Sequence, residues 1–330
     1  MNFHLQFQVS PFSSKVKYDD SIFFMGSCFA EHIAASMQTY KFNTLLNPNG
    51  ILYNPESIAS ALKSYKNKTL LKEDDLSLSD GLYFSWQHHS IFSNSSKNEC
   101  LKNINAEIEQ AHQKLKNTDW LFVTLGSAHV YKHKQQNRYV GNCHKQPQQQ
   151  FIKTLLEIDH MSATWKLLIS DLQKWNNKLK IVFTVSPVRY VRDGVVENNQ
   201  SKARLIELVH QLTDFKNVFY FPAYELVIDD LRDYRFYKAD LVHPNEQAIE
   251  YVFEKLRQAA FADSTQQLFE KIKDVVRAKE HKVFQEETPA HQKFKATYFN
   301  RCKQLQEEFP FLELKEELAY FDIGKMFSKV

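Results

Sequence analysis

A run of five residues, Gly26-Ser27-Cys28-Phe29-Ala30, carries the clearest capacity for chemistry in this sequence. It follows the apolar stretch Ile22–Met25 and precedes the amphipathic stretch Glu31–Tyr40. A buried strand that leads into a helix through Gly-Ser is where α/β hydrolytic enzymes hold a nucleophilic serine. The reason is that the helix N-terminus offers unpaired N–H groups to a developing anion. Ser27 is therefore the candidate nucleophile.

Asp240 and His243 supply the two further groups that a nucleophilic serine needs. Their three-residue spacing in a turn lets the carboxylate accept from the Nδ1–H of the imidazole, which leaves Nε2 free to take a proton. The pair follows the last predicted strand and precedes Pro244, which suits the first turn of a helix. The alternative is an Asp–His pair that only caps this helix.

The five-residue run also has two alternative interpretations. Ser27 could serve only as the N-cap of the helix, because serine is a preferred residue at that position. Cys28 could be the nucleophile instead, because only one of two adjacent side chains points into a cleft. We expect Cys28 to pack in the core, since cysteine is among the residues most often buried.

Alternating strand and helix patterns predict the scaffold that would position these groups. Four short apolar runs predict buried strands, at Ser21–Met25, Trp120–Leu125, Lys180–Val185 and Asn217–Phe221. Helical patterns separate the runs, and the alternation predicts a mostly parallel sheet covered on both faces. Binding sites in such sheets form beyond the carboxyl ends of the strands. Two polar stretches, residues 80–96 and 134–150, are predicted to be loops.

Composition excludes several classes of protein. Lys and Arg number 42 against 39 Asp and Glu, and this balance argues against a nucleic-acid-binding protein held by bulk charge. The seven glycines are too widely spread to form GxGxxG or a P-loop, and there is no GxSxG. We expect neither a signal peptide nor a membrane span. Four scattered cysteines predict reduced thiols in a cytoplasmic protein, without a structural zinc site.

The chain divides by composition near residue 262. Residues 1–262 hold the alternating strands and helices, whereas residues 263–330 are rich in Lys, Glu and Gln and have no strand signal. We predict a main α/β domain followed by a helical C-terminal extension. The extension would pack on the core or on a partner, and a second copy of the chain is one candidate partner.

Several segments resemble those of a known family. The run Gly26–Ala30 resembles the signature of the GSCFA family, a bacterial group related to SGNH (GDSL-type) hydrolases. Further blocks resemble the family in the same order, at Asn47–Pro55, Thr124–Gly126, Gly141–Lys145, Ser186–Arg189 and Asp240–Pro244. The resemblance implies a three-layer α/β/α fold in which Ser27 is the nucleophile, His243 the base and Asp240 the group that orients it.

The resemblance also implies an oxyanion hole, and here the sequence departs from the parent superfamily. SGNH enzymes hold the oxyanion with the N–H of the nucleophile, a glycine N–H and an asparagine side chain. Gly50 matches the glycine, and Gly126 opens the block that would supply the asparagine. Ala128 stands at the asparagine position, so Asn142 or Asn54 would have to provide the amide. The first block also reads Gly-Ser-Cys where the superfamily has Gly-Asp-Ser.

Two further side chains are candidates for substrate contact. His144 lies in the polar loop with Asn142, and Arg189 follows the third predicted strand. A guanidinium there could bind an acidic group of a substrate. The alternatives are a solvated loop for His144 and an ion pair with Asp193 or Glu197 for Arg189.

These observations predict a serine hydrolase of the SGNH type. It would act as an esterase or deacetylase, or transfer an acyl group, on a small-molecule or carbohydrate ester, with no metal and no organic cofactor. We expect no nucleic-acid or membrane partner. The alternative is a non-catalytic binding or scaffold protein that retains the SGNH fold.

Overall fold

The computed structural model describes residue 5 and residues 7–281, 285 and 288–322. A parallel sheet of five strands lies at its centre, and two small antiparallel sheets accompany it. The strands are β1 (Ile22–Gly26), β2 (Thr44–Leu46), β3 (Ser77–Ser79), β4 (Leu82–Phe84), β5 (Trp120–Leu125), β6 (His129–His133), β7 (Arg138–Val140), β8 (Phe151–Leu155), β9 (Lys180–Val185) and β10 (Val218–Tyr220).

The central sheet has the order β10-β9-β5-β1-β2, and all neighbouring strands in it are parallel. The chain runs from β1 outward to β2 at one edge and then returns past β1 to β5. The winding direction therefore reverses between β1 and β5, and open parallel sheets bind ligands in the crevice that such a reversal leaves. Gly26 pairs in register with Thr124, so β1 and β5 end side by side at this crevice.

Helices cover both faces of the sheet. They are α1 (Cys28–Thr39), α2 (Pro55–Asn67), α3 (Lys97–Lys116), α4 (Ile158–Trp175), α5 (Val195–Leu212), α6 (Ala223–Glu225), α7 (Glu246–Ala260), α8 (Asp263–Glu280), α9 (Pro289–Glu308) and α10 (Lys315–Phe321). Ile22 and Phe24 of β1 pack in the core formed with α1, α7 and α8, whereas Phe23 and Met25 pack in the core formed with α2 to α5. The alternation follows the period of two of a strand, and the predicted three-layer α/β/α fold is confirmed.

The two stretches predicted to be loops contain short strands, so that prediction is wrong in part. β3 and β4 form a hairpin, and β7, β6 and β8 form a second antiparallel sheet. Phe84 and Trp86 pack there with Val140 and Phe151 in a small separate cluster. These segments have no clear alternation of apolar and polar residues, and the packing of their aromatic side chains holds them in place.

The helices α8, α9 and α10 follow the main sheet. Leu268, Ile272, Leu305 and Phe321 belong to the same core as α1 and α7, so these helices pack on the α/β unit of their own chain. Residues 282–284, 286–287 and 323–330 of the predicted extension lie outside the described residues. None of the helices in the described part of the chain is long and apolar enough to span a membrane.

Candidate active site

The turn after β1 requires glycine at its first position. Gly26 has φ of +139°, and a Cβ there would lie 2.2 Å from Thr124 O. A backbone of this kind is open to glycine and rarely to other residues. The Gly26 N–H donates to Asn47 Oδ1 at 2.8 Å, which ties the end of β1 to the loop after β2. The turn therefore brings the next two residues to the crevice between β1 and β5.

Ser27 is the N-cap residue of α1, but its side chain does not cap the helix. Ser27 is 5% exposed, and its Oγ has no hydrogen-bond partner among the described residues. A buried hydroxyl without a partner is uncommon and calls for an explanation. The candidate nucleophile is therefore in place at the crevice, without a bond to His243.

Cys28 is the first residue of α1 and is half-buried. The expected packing of Cys28 in the core is not found, because the thiol belongs to neither of the two large apolar clusters. Phe29, Ala30 and Ile33 form the buried face of α1, while residue 28 occupies the end of the helix. Of the two adjacent side chains, the thiol is the more accessible and the hydroxyl is the buried one.

Opposing charges act on the Cys28 thiol. Burial, and then the carboxylate of Glu31, raise its pKa, while the N–H groups of Cys28 and Phe29 and the charge of Lys202 lower it; the net direction is upward. The free N–H groups at a helix N-terminus are positioned to stabilise negative charge. The thiol is therefore protonated at rest and stands beside groups that would support its anion.

Lys202 is the functional candidate that the sequence analysis missed. It lies on α5, is 2% exposed, and donates through Nζ to Gly126 O at 2.7 Å and to Ser186 O at 2.6 Å. Burial lowers the pKa of Lys202 to about 7, and the charge of Cys28 opposes this shift. One signal was available in the sequence, because Lys202 stands on the stripe of α5 that carries Leu205, Leu208 and Leu212 into the core.

Asp240 and His243 form the close pair that their spacing predicts. His243 Nδ1 lies 2.7 Å from Asp240 Oδ2, and the N–H groups of Val242 and His243 donate to Asp240 Oδ1 at 2.9 and 3.0 Å. The backbone N–H of His243, followed by that of Val242, holds the pKa of the Asp240 carboxyl down at about 2. The pair does not cap α7, because Asn245 is the N-cap residue and accepts from the Ala248 N–H at 3.1 Å.

The Asp240–His243 pair lies alongside α1. The pKa of His32 in α1 is lowered by burial and then by the charges of Lys238 and His243, so His243 is within electrostatic range of that helix. Cys28 and His32 are four residues apart and so share a face of that helix. The Arg189 N–H also donates to Val242 O at 3.3 Å, which ties the pair to the loop after β9.

The two backbone donors predicted for an oxyanion are already engaged, whereas Asn54 uses only its side-chain oxygen. The Gly50 N–H donates to Asn47 O at 2.7 Å, and the Ser27 N–H donates to Thr124 O at 3.2 Å. Asn54 Oδ1 caps α2 by accepting from the Ser57 N–H at 2.8 Å. The Gly50 and Ser27 hydrogen bonds would have to break before these N–H groups could bind an oxyanion.

Gly126 and Asn47 both lie next to the turn. The Gly126 N–H donates to Tyr53 O at 2.7 Å, and a Cβ at Gly126 would come within 3.5 Å of Ser27 Cβ. Asn47 is 7% exposed, and its Nδ2 has no partner in the described part of the chain. Asn47, which was not among the predicted amides, therefore holds a spare N–H donor next to Gly26.

Asn142 and His144 lie in a different environment from the turn. Asn142 Oδ1 accepts from the His144 N–H at 2.8 Å, and His144 Nε2 lies 2.9 Å from Ser85 O. The His144 ring packs on Phe84 with 4.2 Å between centroids, and burial lowers its pKa. Asn142 and His144 are thus half-buried and bonded to each other and to Ser85, although Lys145 and residues 147–149 of the same loop are exposed.

Within the described part of the chain, Arg189 packs on aromatic rings and pairs with no carboxylate. Its guanidinium lies 4.7 Å from the Tyr237 ring centroid and 5.6 Å from that of Tyr234, at the wall of a cavity of about 140 Å³. Asp193, one of the two expected partners, pairs with Lys153 at 2.5 Å. Among the described residues no group of three or more His, Cys, Asp and Glu side chains could hold a metal ion.

Comparison with protein families assigns most of the chain. A model of the GSCFA family matches residues 21–256, which include the turn after β1, Lys202 and the Asp240–His243 pair. A second model, described as the C-terminal domain of GSCFA domain proteins, matches residues 272–324. No curated protein matches the sequence. Because the first match covers well over half of the residues, the chain belongs to the GSCFA family.

Proposed function

We propose that the chain catalyses acyl transfer in the manner of SGNH hydrolases, by cleaving an ester of a small molecule or a carbohydrate. The observation that carries the proposal is the Asp240–His243 pair, with 2.7 Å between Oδ2 and Nδ1. Because Asp240 holds Nδ1, the other ring nitrogen is left to move protons. The reversal of strand order between β1 and β5 supports the proposal, because open sheets bind ligands in the crevice at such a reversal.

The accessible thiol of Cys28 is the nucleophile that fits this site better than the buried hydroxyl of Ser27. Cys28 is half-buried at the start of α1, whereas Ser27 Oγ is enclosed and without a partner among the described residues. Position in the motif agrees, because Cys28 stands where Gly-Asp-Ser enzymes carry serine. All four cysteines are free, so no disulfide competes for the thiol.

The reaction would then proceed in two steps. The Cys28 thiol gives its proton to His243, and the thiolate attacks the ester carbonyl. The resulting oxyanion binds the N–H groups of Cys28 and Phe29 at the helix N-terminus. His243 protonates the departing alcohol. A water molecule, or an acceptor alcohol in a transferase, then gives its proton to His243 and releases the acyl group from sulfur. Asp240 orients the imidazole throughout.

The test compares variants of the two adjacent residues on p-nitrophenyl acetate. We expect Cys28→Ala to abolish turnover and Ser27→Ala to retain it, and mass spectrometry should find the acetyl group on Cys28. The original prediction, with Ser27 as nucleophile, gives the opposite pattern together with labelling of Ser27 by a fluorophosphonate. Turnover that survives both substitutions would refute acyl transfer at this turn.

One observation favours a second candidate function, that of a binding protein without catalysis. Ser27 Oγ forms no hydrogen bond with His243 or with any other described residue. A protein of this kind would bind esters in the crevice without turning them over. Isothermal calorimetry with a non-hydrolysable ester analogue, in parallel with the turnover assay, separates the two candidates.

A further inference from the structure

We propose that the cavity beside Arg189 binds an anionic group, a carboxylate or a phosphate, on the alcohol part of the ester substrate. The Arg189 cavity has a volume of about 140 Å³. It is lined by Arg189, Ile228, Arg232, Asp233, Tyr234 and Tyr237. This inference rests on the proposed function, because it names the class of ester on which His243 would act.

The charges in the wall of the Arg189 cavity favour an anion. Neither Arg189 nor Arg232 pairs with a carboxylate among the described residues. The carboxylate in the wall, that of Asp233, is engaged by Arg235. Its Oδ1 accepts from the Arg235 N–H at 2.8 Å, and its Oδ2 lies 3.8 Å from Arg235 Nε. The cavity therefore has an excess of positive charge, which a bound anion would compensate.

Two tyrosine rings hold the Arg189 side chain in position. Its guanidinium lies 4.7 Å from the Tyr237 ring centroid and 5.6 Å from that of Tyr234. Contact with the face of a ring leaves the edge of the guanidinium plane able to donate paired hydrogen bonds to a carboxylate or a phosphate. Burial raises the pKa of Tyr237, although the charge of Arg189 opposes the shift, so the phenol keeps its proton at pH 7. The guanidinium is therefore already ordered, and little side-chain entropy would be lost on binding.

The Arg189 cavity adjoins the segment of backbone that carries His243. The Arg189 N–H donates to Val242 O at 3.3 Å. Tyr237 pairs with Pro244 in an isolated antiparallel bridge. Two residues of the cavity wall are therefore joined to the chain immediately before and immediately after His243.

This position favours the alcohol part of the ester as the part that carries the anion. In the proposed reaction His243 protonates the departing alcohol, so the alcohol leaves on the side of the site where His243 lies. The substrate class is then an acyl ester of a hydroxy acid or of a phosphorylated alcohol. Binding of this non-reacting group would orient the ester for attack.

A purely structural role for Arg189 is the competing explanation, because a guanidinium stacked on two tyrosines also holds its loop in place. The experiment compares three acetyl esters of para-substituted phenols. Two of them, 4-acetoxybenzoate and 4-acetoxyphenyl phosphate, carry an anion, and methyl 4-acetoxybenzoate is the neutral counterpart of the first. The ratio of kcat/KM for a charged ester to kcat/KM for the neutral one cancels any loss that is common to both.

We expect the unchanged protein to favour a charged ester by about tenfold or more, and Arg189→Gln to bring the ratio close to one, as for loss of a hydrogen bond to a charged group. The charged ester with the larger ratio identifies the anion. Arg192→Gln is the matched control, because it removes the same charge from an exposed arginine outside the cavity wall. The ratio in Arg192→Gln should equal that of the unchanged protein.

A direct binding measurement keeps this inference separate from the proposed function. Isothermal calorimetry with 4-hydroxybenzoate, the product of the first ester, should show binding that Arg189→Gln weakens by about tenfold or more. A protein that shows this effect without turning over any of the three esters would keep the anion site and lose the esterase. A protein that hydrolyses the charged and neutral esters equally well would keep the esterase and lose the anion site.

Three further results would overturn the inference. They are a preference that Arg189→Gln leaves intact, a preference that Arg189→Gln and Arg192→Gln reduce equally, and binding of 4-hydroxybenzoate that Arg189→Gln does not change. Circular dichroism and thermal melts establish that the variants fold. If Arg189→Gln does not fold, Arg232→Gln replaces it, because Arg232 is an exposed arginine of the same wall. An unchanged ratio in Arg232→Gln would then count against the anion site.

Discussion

The turn Gly26–Ala30 and the loop Gly141–Lys145 both lie within the residues that the family model matches, and both carry a half-buried cysteine. Their polar side chains differ, however, in whether they have hydrogen-bond partners. In the loop, Asn142 Oδ1 and both ring nitrogens of His144 lie within hydrogen-bond distance of a partner. The Gly141 N–H donates to Trp86 O at 2.8 Å. The loop therefore holds the β3–β4 segment to the rest of the molecule.

The turn has buried polar atoms that nothing in the described structure satisfies. Ser27 Oγ and Asn47 Nδ2 are both enclosed and unpartnered, and Lys202 is buried without a carboxylate. Such groups lower the stability of a fold and persist where function requires them. The comparison teaches that two segments within one family match can differ in whether their buried polar groups have partners, and we expect the unpartnered ones at the turn to serve the proposed function.

The largest expected effect comes from removing the base. His243→Ala should lower kcat/KM on p-nitrophenyl acetate by about 10²- to 10⁴-fold, because a positioned acid–base group contributes that much. Asn142→Ala in the loop is the matched control and should leave kcat/KM within a few-fold of the unchanged protein. Steady-state kinetics at pH 7 check both, and an equal loss in the two variants would contradict the distinction between turn and loop.

The aromatic cluster around Trp86, which the loop contacts, should matter for stability and not for catalysis. Trp86 is 4% exposed and packs against the rings of Phe84, His133 and Phe151. Trp86→Ala should lower the free energy of unfolding by about 3–5 kcal/mol, the range for large core deletions. Urea unfolding measures the loss. Activity per folded molecule should remain, and a folded but inactive variant would place Trp86 in the catalytic site instead.

Much of the scaffold could be predicted, because buried strands appear in the sequence as short apolar runs. The structure has strands at Ile22–Gly26, Trp120–Leu125 and Lys180–Val185, close to the predicted bounds. The edge strand Thr44–Leu46 was missed, since it has three half-buried residues and no distinctive pattern. The order of the strands in the sheet could not be predicted. It depends on the packing of the long connections between the strands and not on the sequences of the strands themselves.

The candidate site could be predicted only where its residues lie close together in the sequence. Asp240 and His243 are three residues apart, and the structure brings them together at 2.7 Å. Lys202 reaches the turn from a distant helix, and a lysine in a helical pattern ordinarily indicates a solvated face. Which of Ser27 and Cys28 is the more buried depends on the residue at which α1 begins. A sequence predicts the first residue of a helix only to within one or two positions, so it could not decide between the two side chains.

A smaller effect is expected from His88, which lies next to the loop. His88 is 2% exposed with Nδ1 2.9 Å from Ser85 Oγ, and burial lowers its pKa to about 3. Between pH 6.5 and 3 the unfolded chain binds a proton at this position that the folded protein does not, so stability falls as the pH is lowered through that range. His88→Gln should flatten this part of the curve of unfolding free energy against pH. An unchanged slope would show that other groups cause the acid sensitivity.

The smallest expected effect comes from substitutions of Asn54. They distinguish its role as the N-cap of α2 from a role as an oxyanion donor. Its Oδ1 accepts from the Ser57 N–H at 2.8 Å at the start of α2, so Asn54→Ala should lower the free energy of unfolding by about 1 kcal/mol. Asn54→Asp keeps the oxygen that caps the helix but removes the NH₂ that an oxyanion would need. We therefore expect Asn54→Asp to restore the stability and to leave kcat unchanged. A loss of kcat of about a hundredfold in Asn54→Asp, the typical cost of one oxyanion donor, would return Asn54 to the active site and extend the functional region from the turn to α2.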